Sequence, residues 1–573
     1  MNHNEGLAGD KKGRVFALCP LWVILLVILL LAAILRLVKL DQIAPPGLNQ
    51  DEAANAWSAY CLLKTGKDYS GGSWPIFYTR NVGGNSSTLY VYLLLPFQAI
   101  GGLNVYTTRL PAAIGGVLTV WLIYFVGRRL FGPATALAAA ALLAIDPWHL
   151  QHSRNGLESS ITPLASIAPL ALLLWVGLQT SDNNKSAGPR PIAAGLGGVL
   201  TGIGCYGHWE VRLFIPVFLF LTVLFTLPGW RKTIKTRKGA LAVILFFAGF
   251  AALWGPLMWQ HIFYPEGIGR HALFQQEWIG SVPLYEALKN MAVRYIKHFG
   301  PYFLFVESDP IPYFSPPRMG HFYWYMAPLM LAGVISLLWR TKASFSARVI
   351  IAFVLAYPVG DSLVWGTGLS ILRSAPGLCA LILVSAAGGV NTARWLWSKN
   401  HNATIAAAVI FFVAVIGMNQ KYLRYFYGGY SRDAEVYHFF HTDIVEACKW
   451  LKPRIDDFDA VFCTDEGLNM PYVVTAVVLG HDPKLWFSQP REFTTIGEWD
   501  YYTRYGKMYF MCYRIFPSMS EFMSKSLYGE QYRPDHVLII IRPGEVKLVD
   551  PNEQIVHKII GPDGTEALWL CKI

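Results

Sequence analysis

The chain has 573 residues, of which 54% are hydrophobic and only 15% charged, and its formal net charge is +11. A soluble protein carries about 25% charged residues, so this balance, with a mean hydropathy of +0.35, excludes a conventional soluble enzyme. The basic excess lies in short clusters between long apolar runs, and membrane orientation accounts for it better than a nucleic-acid partner does.

The first apolar run, 18–38, is almost free of charge until Arg36 and is long enough to cross a bilayer core of roughly 30 Å. It is too long for a removable signal peptide and lacks a small-residue cleavage site, so it is expected to be a retained first transmembrane helix. An outer loop, 40–86, follows and contains Gly47-Leu48-Asn49-Gln50-Asp51-Glu52-Ala53-Ala54. Two adjacent carboxylates at a membrane surface suit work on a hydroxyl, an amine or a cation, and do not suit packing. The segment 85–101 is expected to lie in or dip into the membrane without crossing it.

Further spans are expected near 110–126, 133–148, 159–179, 192–206, 212–229, 239–258, 322–339, 349–365, 371–390 and 403–418, about eleven in all with the first. Under this count the basic clusters Lys11-Lys12-Gly13-Arg14, Arg128-Arg129, Arg231 to Lys238 and Arg340-Thr341-Lys342 all share the cytoplasmic side. Asp51, the 149–158 loop, the outer loop 259–321 and the C-terminal tail then face outward. A true crossing at 85–101 would flip the parity and place Arg128-Arg129 outside.

Ionisable residues at membrane depth or at helix ends are costly and usually have a function. Four outer places stand out besides Asp51-Glu52. They are the loop His149-Leu150-Gln151-His152-Ser153-Arg154 through Glu158; the turn Tyr206-Gly207-His208-Trp209-Glu210-Val211-Arg212; the 259–321 loop with His261, Tyr264, Glu266, Arg270, His271 and Arg318; and Gly368 to Pro376 with Arg373. Each has a plainer reading. An arginine at a helix end can snorkel to headgroups, Glu210 and Arg212 can form a local ion pair, and His149, His152 and Glu158 lack the full ligand set of a metal site. Convergence on one face favours function. Arginine forks match phosphate oxygens, and a carboxylate can take a proton from an attacking hydroxyl or amine, a combination that fits a lipid-linked sugar.

The tail has a different composition. Helix-like segments at 436–451, 498–505 and 518–527 alternate with strand candidates at 460–463, 508–511 and 536–541. A β-meander is expected over 545–550, 554–560 and 567–572, so the tail reads as a small α/β domain. Four of the eight cysteines, Cys448, Cys463, Cys512 and Cys571, fall here. Their even number allows disulfides, but none is in a CxxC pair and buried thiols are the commoner outcome.

Four pieces, in order, resemble the GT-C membrane glycosyltransferases, in particular the protein O-mannosyltransferase and lipid A aminoarabinose transferase superfamily. They are Asp51-Glu52 opening a helix that ends Leu63-Lys64-Thr65-Gly66; Ser87-Thr88-Leu89-Tyr90 through Gly101-Gly102; Thr108-Arg109-Leu110-Pro111-Ala112-Ala113-Ile114-Gly115-Gly116; and Ser153-Arg154 with Glu158 four positions on. The likeness covers 15–230 well, 322–390 weakly and the tail hardly at all. Two departures are visible: Glu158 stands where the family usually has Asp, and 85–101 lacks the His-Pro-Pro signature of protein mannosyltransferases, which argues against a protein acceptor of that kind.

The resemblance implies a polytopic α-helical GT-C-like module over 1–419, followed by the α/β domain, 420–573, that the residue pattern and the topology place on the extracytoplasmic side. It implies inverting transfer of a hexose or pentose from a polyprenyl-phosphate donor to a lipid, glycan or protein acceptor at the outer face of the cell membrane. Asp51 would be the general base, with Glu52 orienting it. Arg109, Arg154, Arg212 and Arg373 would bind the donor phosphate. Glu158 would share the orienting role of Glu52, position the acceptor or, like Glu52, bind a divalent ion if one is used; apart from the resemblance, His149 and His152 are the other candidate ligands for such an ion. The alternatives are a transporter or flippase of lipid-linked saccharides, and a scaffold whose tail does the work. A transporter should show mid-helix charges and internal duplication, neither of which is seen, and eleven helices exceed what anchoring needs.

Overall fold

A computed structural model describes residues 20–81, 84–178, 188–264, 282–306, 311, 314–315, 319–340, 344–364, 368–496, 499–512, 519–526, 536–548 and 555–572. The cluster Lys11-Lys12-Gly13-Arg14, the loop residues Glu266, Arg270, His271 and Arg318, and Thr341-Lys342 lie outside the described residues.

The helical part runs α1 (Leu21–Leu37), α2 (Gln50–Thr65), a hairpin of β1 (Tyr78–Asn81) and β2 (Gly84–Ser87), α3 (Thr88–Gly101), α4 (Val105–Leu130), α5 (Pro133–Ile145) and α6 (Pro147–His152). It continues with α7 (Thr162–Trp175), α8 (Pro191–Gly204), α9 (Trp209–Phe225), α10 (Leu227–Ile234), α11 (Arg237–Phe263), α12 (Leu284–Lys297), α13 (Met326–Arg340), α14 (Phe345–Ala356), α15 (Leu378–Lys399) and α16 (His401–Gly428). Every expected span falls on a helix. Among the described residues six stretches are long and apolar enough to cross a membrane alone: Val105–Leu130, Glu158–Trp175, Arg237–Phe263, Phe345–Ser362, Ala375–Lys399 and His401–Gly428. The pair α9 and α10, bent by 84°, makes a seventh. The helices α1, α5, α8 and α13 are shorter apolar elements of 10–17 residues, so length alone supports six or seven crossings rather than eleven.

Both ends of α3 stay at one end of the bundle. At its start, Leu89 N–H donates to the Tyr206 carbonyl and Tyr90 Oη to the Thr108 carbonyl, and near its finish Gln98 Nε2 donates to the Ala56 carbonyl of α2. It therefore packs along α2. Arg128 and Arg129 close the last turn of α4, about 35 Å from its first residue at 1.5 Å per residue. Ser346 Oγ donates to the Leu130 carbonyl there, which brings the α13–α14 turn after Arg340 to the same far end. Arg128-Arg129 and Arg340 thus lie at the end of the bundle opposite the start of α4.

Helix α16 runs to Gly428, past the expected domain boundary at 419, because Tyr422 and Phe426 continue its buried face. Beyond it the tail forms a sheet of order β4-β5-β6-β3-β7-β9-β8 among the described residues. The strands are β3 (Ala460–Cys463), β4 (Arg491–Ile496), β5 (Trp499–Tyr505), β6 (Met508–Phe510), β7 (Val537–Ile541), β8 (Ile555–Ile560) and β9 (Glu566–Lys572). Central β3 pairs in parallel with β6 and β7, and α17 (Thr442–Leu451) and α18 (Pro471–Leu479) pack on each other beside the sheet. Two expectations are corrected. Within the expected helix 498–505, Trp499–Tyr505 is strand β5, since an aromatic-rich segment favours a pleated surface. Pro543–Leu548 is a 3-10 turn, so the meander reduces to the β8–β9 hairpin. Cys448, Cys463 and Cys571 are buried thiols.

The tail is docked on α2. Leu48 N–H donates to the Phe440 carbonyl at 2.7 Å, Trp486 Nε1 donates to the Tyr69 carbonyl at 2.8 Å, and Trp57 meets Trp486 edge-on at 5.4 Å. Ala53, Ala56 and Trp57 share one apolar core with Val473 and Trp486. The helix that carries Asp51 is therefore held partly by the tail.

Candidate active site

Helix α2 begins with a capping box. Asn49 Oδ1 accepts the Asp51 N–H at 2.8 Å, and Glu52 Oε2 accepts the Asn49 N–H at 3.2 Å, which satisfies two of the helix's orphan donors. Consecutive helix residues point about 100° apart, so the two carboxylates separate. Asp51 lines a cavity of about 340 Å³. Glu52 is fully buried behind it, gripped by Arg109 through Nε at 2.9 Å and Nη2 at 2.8 Å, and it accepts the Gly156 N–H.

That contact positions the second acid. Asn55 Nδ2 donates to the Gly156 carbonyl at 3.3 Å and to Glu158 Oε2 at 3.5 Å, so α2 holds the loop that turns Glu158 into the Asp51 cavity. Only glycine fits at 156: a Cβ there would lie 2.9 Å from the Thr108 carbonyl oxygen. Burial first, then the Glu158 charge, then that of Glu52, raise the Asp51 carboxyl from 3.8 to about 7. At neutral pH it is poised between acid and base.

Three further elements supply most of the polar cavity wall, beside Met258 and His261 of α11. The β1–β2 hairpin contributes Asn81, Asn85 and Ser86; the turn into α9 contributes His208, Glu210 and Arg212; and the stretch before α15 contributes Ser370 and Arg373. Arg212 donates to Ser87 Oγ at 2.7 Å and to the Cys205 carbonyl at 3.2 Å, and it stacks on Trp209, so it ties the hairpin to α9. His208 Nδ1 bonds the Glu210 carboxylate. Burial alone would lower the His208 imidazole, but the adjoining carboxylate holds it above its ordinary value.

Of the expected site residues, Asp51, Glu158, Arg212 and Arg373 meet in this cavity. Others do not, and the expectation is corrected for each. Glu52 is a buried brace with no face on the cavity. Arg109 spends its guanidinium on Glu52 and on the carbonyls of Leu40, Pro45 and Gly47. Arg154 donates to the carbonyls of Leu35, Arg36, Val38, Lys39 and Ala44. Both arginines thereby satisfy backbone groups where the chain leaves α1, and neither lines the cavity. His149 Nδ1 lies 2.8 Å from Arg36 Nη2, a cationic neighbour that disfavours a metal, and His152 is buried outside the cavity wall. Among the described residues no three His, Cys, Asp or Glu side chains converge as metal ligands.

The sequence reading passed over the hairpin carboxamides and the buried Asp361. An aspartate inside an expected span, 349–365, was the available signal for the latter.

Residues 86–255 match the family model described as dolichyl-phosphate-mannose-protein mannosyltransferase. The chain is 30% identical over 187 residues to undecaprenyl phosphate-alpha-4-amino-4-deoxy-L-arabinose arabinosyl transferase 1 of Pseudomonas fluorescens (strain Pf0-1). That stretch is 30% of this chain and 31% of the relative, so the alignment spans under a third of the curated protein. Among solved structures, ArnT from Cupriavidus metallidurans bound to undecaprenyl phosphate superposes with a TM-score of 0.52 at 13% identity, covering 96% of this chain and 97% of that one. Its apo form gives 0.51 at 14% identity with the same coverage. At these identities the superposition establishes the fold, and it extends over the tail as well as the helical part.

Proposed function

We propose that this multi-pass membrane chain, a GT-C-fold member of the superfamily of protein O-mannosyltransferases and lipid A aminoarabinose transferases, transfers a sugar from a polyprenyl-phosphate donor to an acceptor at the extracytoplasmic face. The observation that carries the reading is the meeting of Asp51 with Arg212 and Arg373 in one cavity. A carboxylate near neutrality accepts a proton, and guanidinium groups match phosphate oxygens. The location of Arg128-Arg129 at the opposite end supports an outward-facing site by the positive-inside rule.

In this mechanism an acceptor hydroxyl or amine attacks the anomeric carbon while Asp51 takes its proton. The bond from the anomeric carbon to the phosphate oxygen breaks, and polyprenyl phosphate leaves with the electron pair. Arg373 and Arg212 stabilise the charge that grows on that oxygen, so the leaving group needs no proton. One in-line displacement inverts the configuration. Glu158 holds Asp51 near neutrality and faces the acceptor. The sugar can be a hexose or a pentose, and the acceptor a lipid, a glycan or a protein.

The test is turnover by the purified protein with polyprenyl-phosphate sugars and candidate acceptors. Release of polyprenyl phosphate should keep pace with product, and the anomeric configuration read by NMR should be inverted. Retained configuration, or movement of intact lipid-linked saccharide across a vesicle membrane without bond cleavage, contradicts the reading; the second outcome is that of a flippase.

A further inference from the structure

Behind the cavity wall lies a charge cluster that the mechanism above does not use. Asp361 is fully buried in a short turn, Val359–Ser362, that continues α14. Its Oδ1 accepts from Arg373 Nε and, at 3.5 Å, from Arg294 Nη2. Its Oδ2 accepts from His298 Nε2 at 2.9 Å and from the Ser370 N–H at 3.2 Å. The other nitrogen of His298, Nδ1, lies 2.8 Å from the Arg294 carbonyl oxygen. Contacts at both ring nitrogens fix the imidazole in position and plane. Tyr357 Oη, donating to the His298 carbonyl at 2.8 Å, anchors the same residue from the far side.

Arg294 completes the frame. Its Nη2 donates to the carbonyl oxygens of Asp361 at 3.1 Å and of Gly368 at 3.3 Å, and Gly368 also accepts from Arg373 Nη2 at 3.3 Å. One buried carboxylate is thus contacted by three side chains, Arg294 of α12, His298 just after it, and Arg373 from the segment before α15. Of the three, only Arg373 lines the cavity. A guanidinium held through Nε has its plane set, which a forked contact with a phosphate needs.

We propose that Asp361, locked by His298, is a positioning residue that holds the Arg373 guanidinium against the donor phosphate. The inference rests on the reading of Arg373 as a phosphate ligand, and the experiment separates the two. Binding of undecaprenyl phosphate to the purified full-length protein is measured for the wild type, Arg373→Gln, Asp361→Asn and the double variant, together with the donor KM and kcat of each. Arg373→Gln should weaken binding by at least about tenfold; if it does not, the phosphate reading of Arg373 itself fails. Given that loss, Asp361→Asn should weaken binding and raise the donor KM by about tenfold in the wild-type background and have almost no further effect in Arg373→Gln, because it acts through that side chain. Equal losses in both backgrounds, or loss of thermal stability with donor affinity intact, would assign Asp361 a purely structural role and overturn the proposal. Where Asp361→Asn does not purify, His298→Gln takes its place in the same cycle, with the same coupled result expected and the same additive result counting against it.

Discussion

Replacing Glu158 by Gln tests the electrostatics of the proposed base. The Asp51 carboxyl is raised from 3.8 to about 7 by burial first, then by Glu158, then by Glu52. Glu158→Gln keeps the side-chain shape and removes the larger of the two charge contributions. Taking away a neighbouring negative charge makes Asp51 a weaker proton acceptor, so its ionisation moves to lower pH. Burial, the largest cause, survives the substitution, so the move is only part of the whole displacement. A shift of about one pH unit corresponds to about 1.4 kcal/mol of lost repulsion. The assay is kcat/KM for transfer as a function of pH. The wild type should lose activity tenfold per unit below its limb near neutrality, and at about two units below it should retain about one hundredth of its plateau. At that same pH the variant should retain about one tenth of its own plateau. The readout is the position of the limb, which is independent of any change in absolute rate. A limb that stays in place or moves upward would refute the claim that Glu158 and an ionising Asp51 act in one cavity.

Three further outcomes follow from the surrounding frame. Arg109→Gln leaves Glu52 buried without its cation and should destabilise the fold by about 3–5 kcal/mol, seen as a large drop in melting temperature in detergent. Gly156→Ala places a Cβ 2.9 Å from the Thr108 carbonyl oxygen; displacing the loop by a fraction of an ångström should lower kcat/KM by about 100-fold while undecaprenyl phosphate binding, measured directly, changes little. Trp486→Ala removes the buried ring that packs on Trp57 and should cost about 3–5 kcal/mol, read as earlier unfolding of the tail.

Much of the architecture was legible in the sequence because bilayer burial imposes long apolar runs, and each run became a helix. What the sequence could not separate was residues of equal chemistry in unequal surroundings. Arg109 and Arg154 have the same fork as Arg373, but they meet the carbonyls of 35–47, whose positions depend on how the chain turns after α1. Asp51 and Glu52 differ only in helix phase: one angular step sends Asp51 to the cavity and Glu52 to Arg109. Glu158 was legible by spacing, whereas Asn55, which orients it, sits in the middle of a helix with nothing local to mark it. The β5 strand was misread because Asp, Arg and Tyr residues in 498–505 resemble an amphipathic helix until its neighbours β4 and β6 pair with it.

The central claim is that Asp51 takes the proton from the acceptor, and Asp51→Asn tests it most directly. The carboxamide keeps the size of the side chain and the Asn49 cap, which is made to the backbone N–H of residue 51. The variant should bind undecaprenyl phosphate and the sugar donor as the wild type does, while transfer falls by about 100- to 10,000-fold. Transfer at the wild-type rate by Asp51→Asn would contradict the account.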